Sequence, residues 1–66
     1  MNPKKIGQRL ASLRGEKSRS EVSFALKISQ SALAMYENGE RIPRDEIKVK
    51  IAKYYGVSIE DIFFKK

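Results

Sequence analysis

Two residue types that carry much of enzyme chemistry are missing from this sequence: it has neither cysteine nor histidine. Thiolate and imidazole nucleophiles, disulfides and the usual zinc ligands are thereby excluded, and no catalytic residue, metal or cofactor is expected. Of the eight acids, Glu21, Asp45, Glu46, Glu60 and Asp61 fall where helices are expected to begin, and there they offset the helix dipole. The four glycines are isolated and form no phosphate-cradling loop. What remains for recognition is a charge-poor stretch, Gln30 to Met35, with Arg19 ahead of it and Arg41 and Arg44 behind it. It offers an amide, a hydroxyl and small apolar groups between cations.

The charge balance narrows the choice of partner. Fourteen Lys and Arg against eight Asp and Glu give a net charge of +6, which favours a polyanion such as nucleic acid or an anionic membrane. No apolar run approaches the roughly 20 residues of a membrane span. The basic start at Met1 to Lys5 is not followed by the apolar stretch of a secretory leader. A lipid-binding amphipathic helix with a broad apolar face and a Lys-rich rim is also missing. At 66 residues the chain is read as one domain, 1–66, burying roughly 60% of its unfolded surface. A cysteine-free domain of this size fits the cytoplasm.

The elements that would position the recognition stretch are all helical. Ile6, Leu10 and Leu13 recur at helical spacing within residues 4–16, with Gly15 as a stop and Gly7 as a slight weakness. Ser18 and Glu21 form a capping box for a second helix from about Arg19 to Lys27, with Val22, Ala25 and Leu26 inward. Ile28 anchors the turn. Ser29 caps a third helix, from about Gln30 to Glu37, and Asn38-Gly39 ends it. Pro43 holds Ile42 extended before a fourth helix that Gly56 closes. Ser58 and Asp61 begin a fifth, with Val57 and Ile62 placed as a hydrophobic staple, and Lys65-Lys66 is a frayed tail. The expected fold class is all-α, a compact bundle of five helices.

The two or three residues between helices 2 and 3 force a steep crossing, as in a helix-turn-helix, here at about 18–38. In that unit the second helix enters the major groove of double-stranded DNA. Gln30 can bond adenine, Ser31 can donate or accept, and Ala34 and Met35 can contact a thymine methyl. Ser18 and Arg19, at the start of helix 2, suit phosphate, and Arg41 and Arg44 would meet a second phosphate segment. Asn38 joins the phosphate-contact set.

The segments IGQRLASLR, EVSFALKIS, SALAMYENGERIPRDEI and IAKYYGVSIEDIF together resemble the lambda-repressor-like helix-turn-helix family of the Cro/cI or XRE type. The resemblance covers nearly the whole chain. It implies a five-helix fold that binds a palindromic operator as a dimer. It also places Gln30, Ser31, Ala34 and Met35 at base-reading positions, Arg19 at a phosphate-contacting one, and Arg14 with Glu37 as a structural pair. The chain departs from the family with a shorter turn between helices 1 and 2, Ser23 for a small Ala, Lys27 for Gly, and Phe24 where a charge is usual.

The reading that follows is a DNA-binding transcriptional regulator, a repressor of bacterial or phage origin acting as a homodimer. Ile59, Phe63 and Phe64, with Tyr54 nearby, are the expected dimer surface. No small-molecule ligand is expected, because 66 residues leave no room for a sensing domain. The competing reading is a protein-binding module, such as an antitoxin-like partner, for which Phe24 and Phe64 would supply contacts. Phe24 otherwise is expected to tuck against a neighbour.

Overall fold

The computed structural model describes residues 1–65, so the expected fraying at Lys66 lies outside the described residues. Four α-helices and a closing π-helical turn follow in order: α1 (Pro3–Arg14), α2 (Arg19–Leu26), α3 (Gln30–Glu37), α4 (Asp45–Tyr55) and the turn Glu60–Phe64. No strand occurs among the described residues. Each α-helix start has a local cause. Asn2 accepts from the amides of Lys4 and Lys5, Ser18 from Glu21 and Ser29 from Ala32, which satisfies donors that have no partner inside a helix. The first turn of α4 has no side-chain cap but carries Asp45 and Glu46, whose charge suits the helix N-terminus.

The core is the meeting place of all five elements. Ile6 and Leu10 from α1, Val22 and Leu26 from α2, and Leu33 and Tyr36 from α3 are buried with Ile51 and Ala52 from α4 and Ile62 and Phe63 from the C-terminal turn. Leu13, Ile28, Ile47 and Val57 pack against them from the edges. In α2 the inward set differs from expectation. Ser23 is buried and Ala25 is exposed. Ser23 tolerates burial because its hydroxyl donates to the Ser20 carbonyl at 3.1 Å.

The last element is looser than an α-helix. The Ser58 hydroxyl accepts from the Asp61 amide at 3.1 Å, but the backbone then opens into the wider π spacing. This coincides with burial of two consecutive side chains, Ile62 and Phe63. Carbonyls left over at the end are taken by Arg9, whose Nη1 donates to the Ile62 oxygen at 2.8 Å and Nη2 to the Lys65 oxygen at 2.9 Å. Lys65 is thus tied down through its carbonyl, against the expectation of a frayed end.

α1 packs chiefly on α3, and Gly7 sets how closely. A Cβ added there would lie 2.3 Å from the Glu37 carbonyl oxygen and 2.8 Å from that of Tyr36. Gly7 therefore weakens α1 locally and permits the contact that holds α3. Gly7→Ala is expected to lower stability by about 2 kcal/mol despite the gain of about 1 in helix propensity. A thermal melt should show Tm falling by roughly 10 °C.

Three helices end in the same way. Lys27, Gly39 and Gly56 each adopt positive φ, at 58°, 75° and 68°, and the next residue's amide returns to the helix: Ile28 to Ser23, Glu40 to Met35, Val57 to Ala52. This is the Schellman ending, which favours glycine at the left-handed position. Only Lys27 occupies it with a side chain, and a left-handed conformation costs such a residue about 1–2 kcal/mol. Lys27→Gly is expected to stabilise the protein by about 1 kcal/mol in urea unfolding, with the m-value unchanged.

Candidate nucleic-acid interface

At about 100° per residue, Gln30, Ser31, Ala34, Met35 and Asn38 share one face of α3 and its cap, spanning roughly 140°. Leu33, Tyr36 and Glu37, on the other face, are buried. Gln30, Ser31 and Asn38 are exposed, whereas Ala34 and Met35 are half-buried. The outward face therefore has two polar side chains at its N-terminal end, two apolar ones below them, and no charge. Arg41 and Arg44 are both exposed in the segment after α3. Between them lies Pro43, which is fully buried and fixes the path of that segment.

Ser18 and Arg19 stand at the start of α2. The Ser18 hydroxyl oxygen is engaged by the Glu21 amide at 3.0 Å. Arg19 is held by its Nε, which donates to Glu37 Oε1 at 3.0 Å. Its side chain is 39% exposed, and among the described residues its two Nη groups have no hydrogen-bond acceptor. Anchored at one end and open at the other, this guanidinium can meet a phosphate without losing its restraint.

Glu37 ties the interface together from inside. Its side chain is 1% exposed. Arg14 grips it with two bonds, Nε to Oε2 at 2.7 Å and Nη2 to Oε1 at 3.1 Å, and donates Nη1 to the Lys17 carbonyl at 2.7 Å. One carboxylate thus joins α1, the start of α2 and the end of α3. The bond to Glu37 is also the main reason the Arg14 pKa is raised above its ordinary value. From the sequence, Arg14–Glu37 was expected as a pair. The second arginine on the same carboxylate, Arg19, is an addition that the sequence reading passed over.

The expected dimer surface needs one correction. Phe63 is 1% exposed and belongs to the core, so it offers nothing to a second chain. Phe64 is exposed and Ile59 half-buried. Phe64 flanks Lys48, a buried lysine that the sequence reading passed over. Its Nζ lies 5.7 Å from the Phe63 ring centre and 5.4 Å from that of Phe64, and 3.4 Å from Asp45. Tyr54 instead meets Lys17, whose Nζ sits 4.9 Å from its ring centre. Phe24 does not tuck against a neighbour: it is 86% exposed. No group of acids among the described residues is arranged to hold a metal.

Beside the network, the Tyr55 hydroxyl is buried with no partner among the described residues. Burial, and then the nearby Glu37 and Tyr54, push the Tyr55 pKa up to about 12. Below pH 10 the phenol is neutral whether the chain is folded or not. Between pH 10 and about 12 the unfolded chain gives up the proton more readily, so this group's contribution to stability falls as pH rises. Tyr55→Phe should match the wild type to within about 1 kcal/mol at pH 7, since no hydrogen bond is lost. It should then gain on the wild type through that alkaline window in paired urea titrations.

A family model described as helix-turn-helix matches residues 10–62, from Leu10 in α1 to Ile62 in the C-terminal turn. Neither the curated proteins nor the solved structures hold a significant match to the chain. The matched span includes α2, α3, both flanking arginine positions and the buried carboxylate between them. With its all-helical fold and the outward, charge-poor face of α3, the chain belongs to the lambda-repressor-like helix-turn-helix family of DNA-binding regulators, the Cro/cI or XRE type.

Proposed function

We propose that this regulator is a repressor that reads a palindromic operator in double-stranded DNA as a homodimer, with α3 in the major groove. The observation that carries the reading is the uncharged outer face of α3 set between exposed or half-exposed arginines. Gln30 and Ser31 reach base edges, and Ala34 and Met35 supply apolar contact to thymine methyls. Ser18, Arg19, Asn38, Arg41 and Arg44 meet phosphates on either side, which gives affinity and fixes register. Repression is steric, through occupation of adjacent grooves over a promoter. Ile59 and Phe64 are the residues left for the dimer contact, and a two-fold dimer matches a two-fold operator. Among the described residues no helix is long and apolar enough to cross a membrane, and the proposed setting is the bacterial cytoplasm.

One observation favours a second reading. Phe24 is exposed on α2, and an aromatic left in water suits a contact with another protein. A module of that kind would recover a stoichiometric protein partner and show no salt-sensitive DNA binding.

Selection of bound sites from random duplex DNA tests the main reading and reports half-site spacing. On the selected site, Gln30→Ala is expected to relax choice at one base pair, at a cost of about 1–3 kcal/mol. Arg44→Ala should instead weaken binding to every sequence alike and reduce the salt slope by about 1. If both variants bound the selected site as the wild type does, α3 would not be the reading helix.

A further inference from the structure

Behind the DNA-reading face, a groove runs between α1 and the C-terminal turn. Its first hollow, of about 570 Å³, has an apolar floor of half-buried Leu13 and Val57 laid over the core residue Ile62, and a rim that includes Lys5 and Arg9. A second hollow, of about 360 Å³, shares Lys5 and continues past Phe64 to Lys65. We propose that this groove docks an acidic, amphipathic helical segment of a partner protein while α3 remains open to DNA.

Three features support that occupant. The groove is built in advance, because Arg9 holds the carbonyls of Ile62 and Lys65 and so fixes one wall against the other. A preformed surface lowers the ordering cost of binding. Its charge is one-sided: Lys5, Arg9 and Lys65 line the two hollows against the single acid Asp61. An apolar floor under a basic rim is complementary to a helix with apolar anchors on one face and carboxylates beside them. A second copy of this chain fits the first hollow less well. It carries +6, and in a two-fold contact the patch meets itself, so Lys5 and Arg9 would face their own kind. Nucleic acid fits poorly as well, since the first hollow offers no aromatic platform for a base and its floor solvates no phosphate.

Geometry also separates the groove from α3. Lys5, Arg9 and Ser12 lie roughly 140–200° around α1 from Gly7, and Gly7 is the residue that abuts α3. An occupant would therefore sit on the far side of α1. The occupant does not depend on the operator reading; the second hollow shares Phe64 with the proposed dimer contact, so the first hollow, away from Phe64, is the part that decides.

The test uses the isotope-labelled full chain and a synthetic helix of about four turns, with leucines at i, i+3, i+4 and i+7 spacing and glutamates elsewhere. A control peptide carries lysine in place of each glutamate. The amides of Leu13, Val57 and Ile62 should shift with the acidic peptide and not with the basic one. The shifts should persist when the selected duplex is bound. Lys5→Glu changes an exposed side chain, and should weaken the peptide roughly tenfold, about 1.4 kcal/mol, without changing Tm appreciably. The proposal is overturned if the basic peptide binds as well. It is equally overturned if the shifts fall on Gln30, Arg41 and Arg44, which would mean charge attraction to the DNA face. Shifts at Leu13 and Val57 in the first hollow that follow protein concentration with no peptide present would assign the groove to a second copy instead.

Discussion

The structure depends on a single buried carboxylate. Glu37 sits at the end of α3 with its side chain withdrawn from water, and two guanidinium groups meet it there. A carboxylate in that position is tolerable only while its charge is matched and its lone pairs are occupied. Arg14 supplies a fork of two bonds and Arg19 a third. α3 is only eight residues long, too short to hold itself as a helix in water. Its direction is set by what grips its end. The ion network and the close approach at Gly7 act on the same turn of chain from two sides, one through charge and the other through the absence of a side chain.

The same arrangement explains how a basic protein keeps the outward face of α3 free of charge. The cations are placed around α3 rather than on it. Arg19 is the clearest case, since its Nε is committed to Glu37 while the rest of its guanidinium is not. Restraint of this kind would reduce the side-chain entropy lost in the proposed phosphate contact. Arg41 and Arg44 depend on backbone instead: buried Pro43 between them fixes the segment, and Arg44 stands at the entry of α4. Lys48 is instead buried, its ammonium close to the Phe63 and Phe64 rings and to Asp45, and shows that position in the fold, not residue type, decides which cations remain for a partner.

Stability and recognition meet at the turn between α2 and α3. Lys27 takes a conformation that the two other helices with this ending give to glycine. The strain lies in the connection that sets the crossing of the helix-turn-helix, and the core offsets it: Leu26 before the turn and Ile28 after it both pack inward.

Much of this was determined by the sequence alone. Local signals gave the helices: a capping serine, a glycine stop or an apolar period acts over a few residues, so α3 from Gln30 to Glu37 and its Ser29 cap are legible directly. The family resemblance was legible too, because the segments that carry it span the chain. Tertiary structure decided what depends on residues far apart in the chain. Whether Gly7 is a flaw or a contact depends on the backbone of residues 36 and 37. Arg9 joins residues 53 and 56 positions away, and no local pattern announces that. Phe63 and Phe64 are adjacent and chemically identical, yet one is core and the other surface, a difference settled by which of them packs against the other helices. Local propensity acts along the chain, whereas burial and charge pairing are properties of the packed whole.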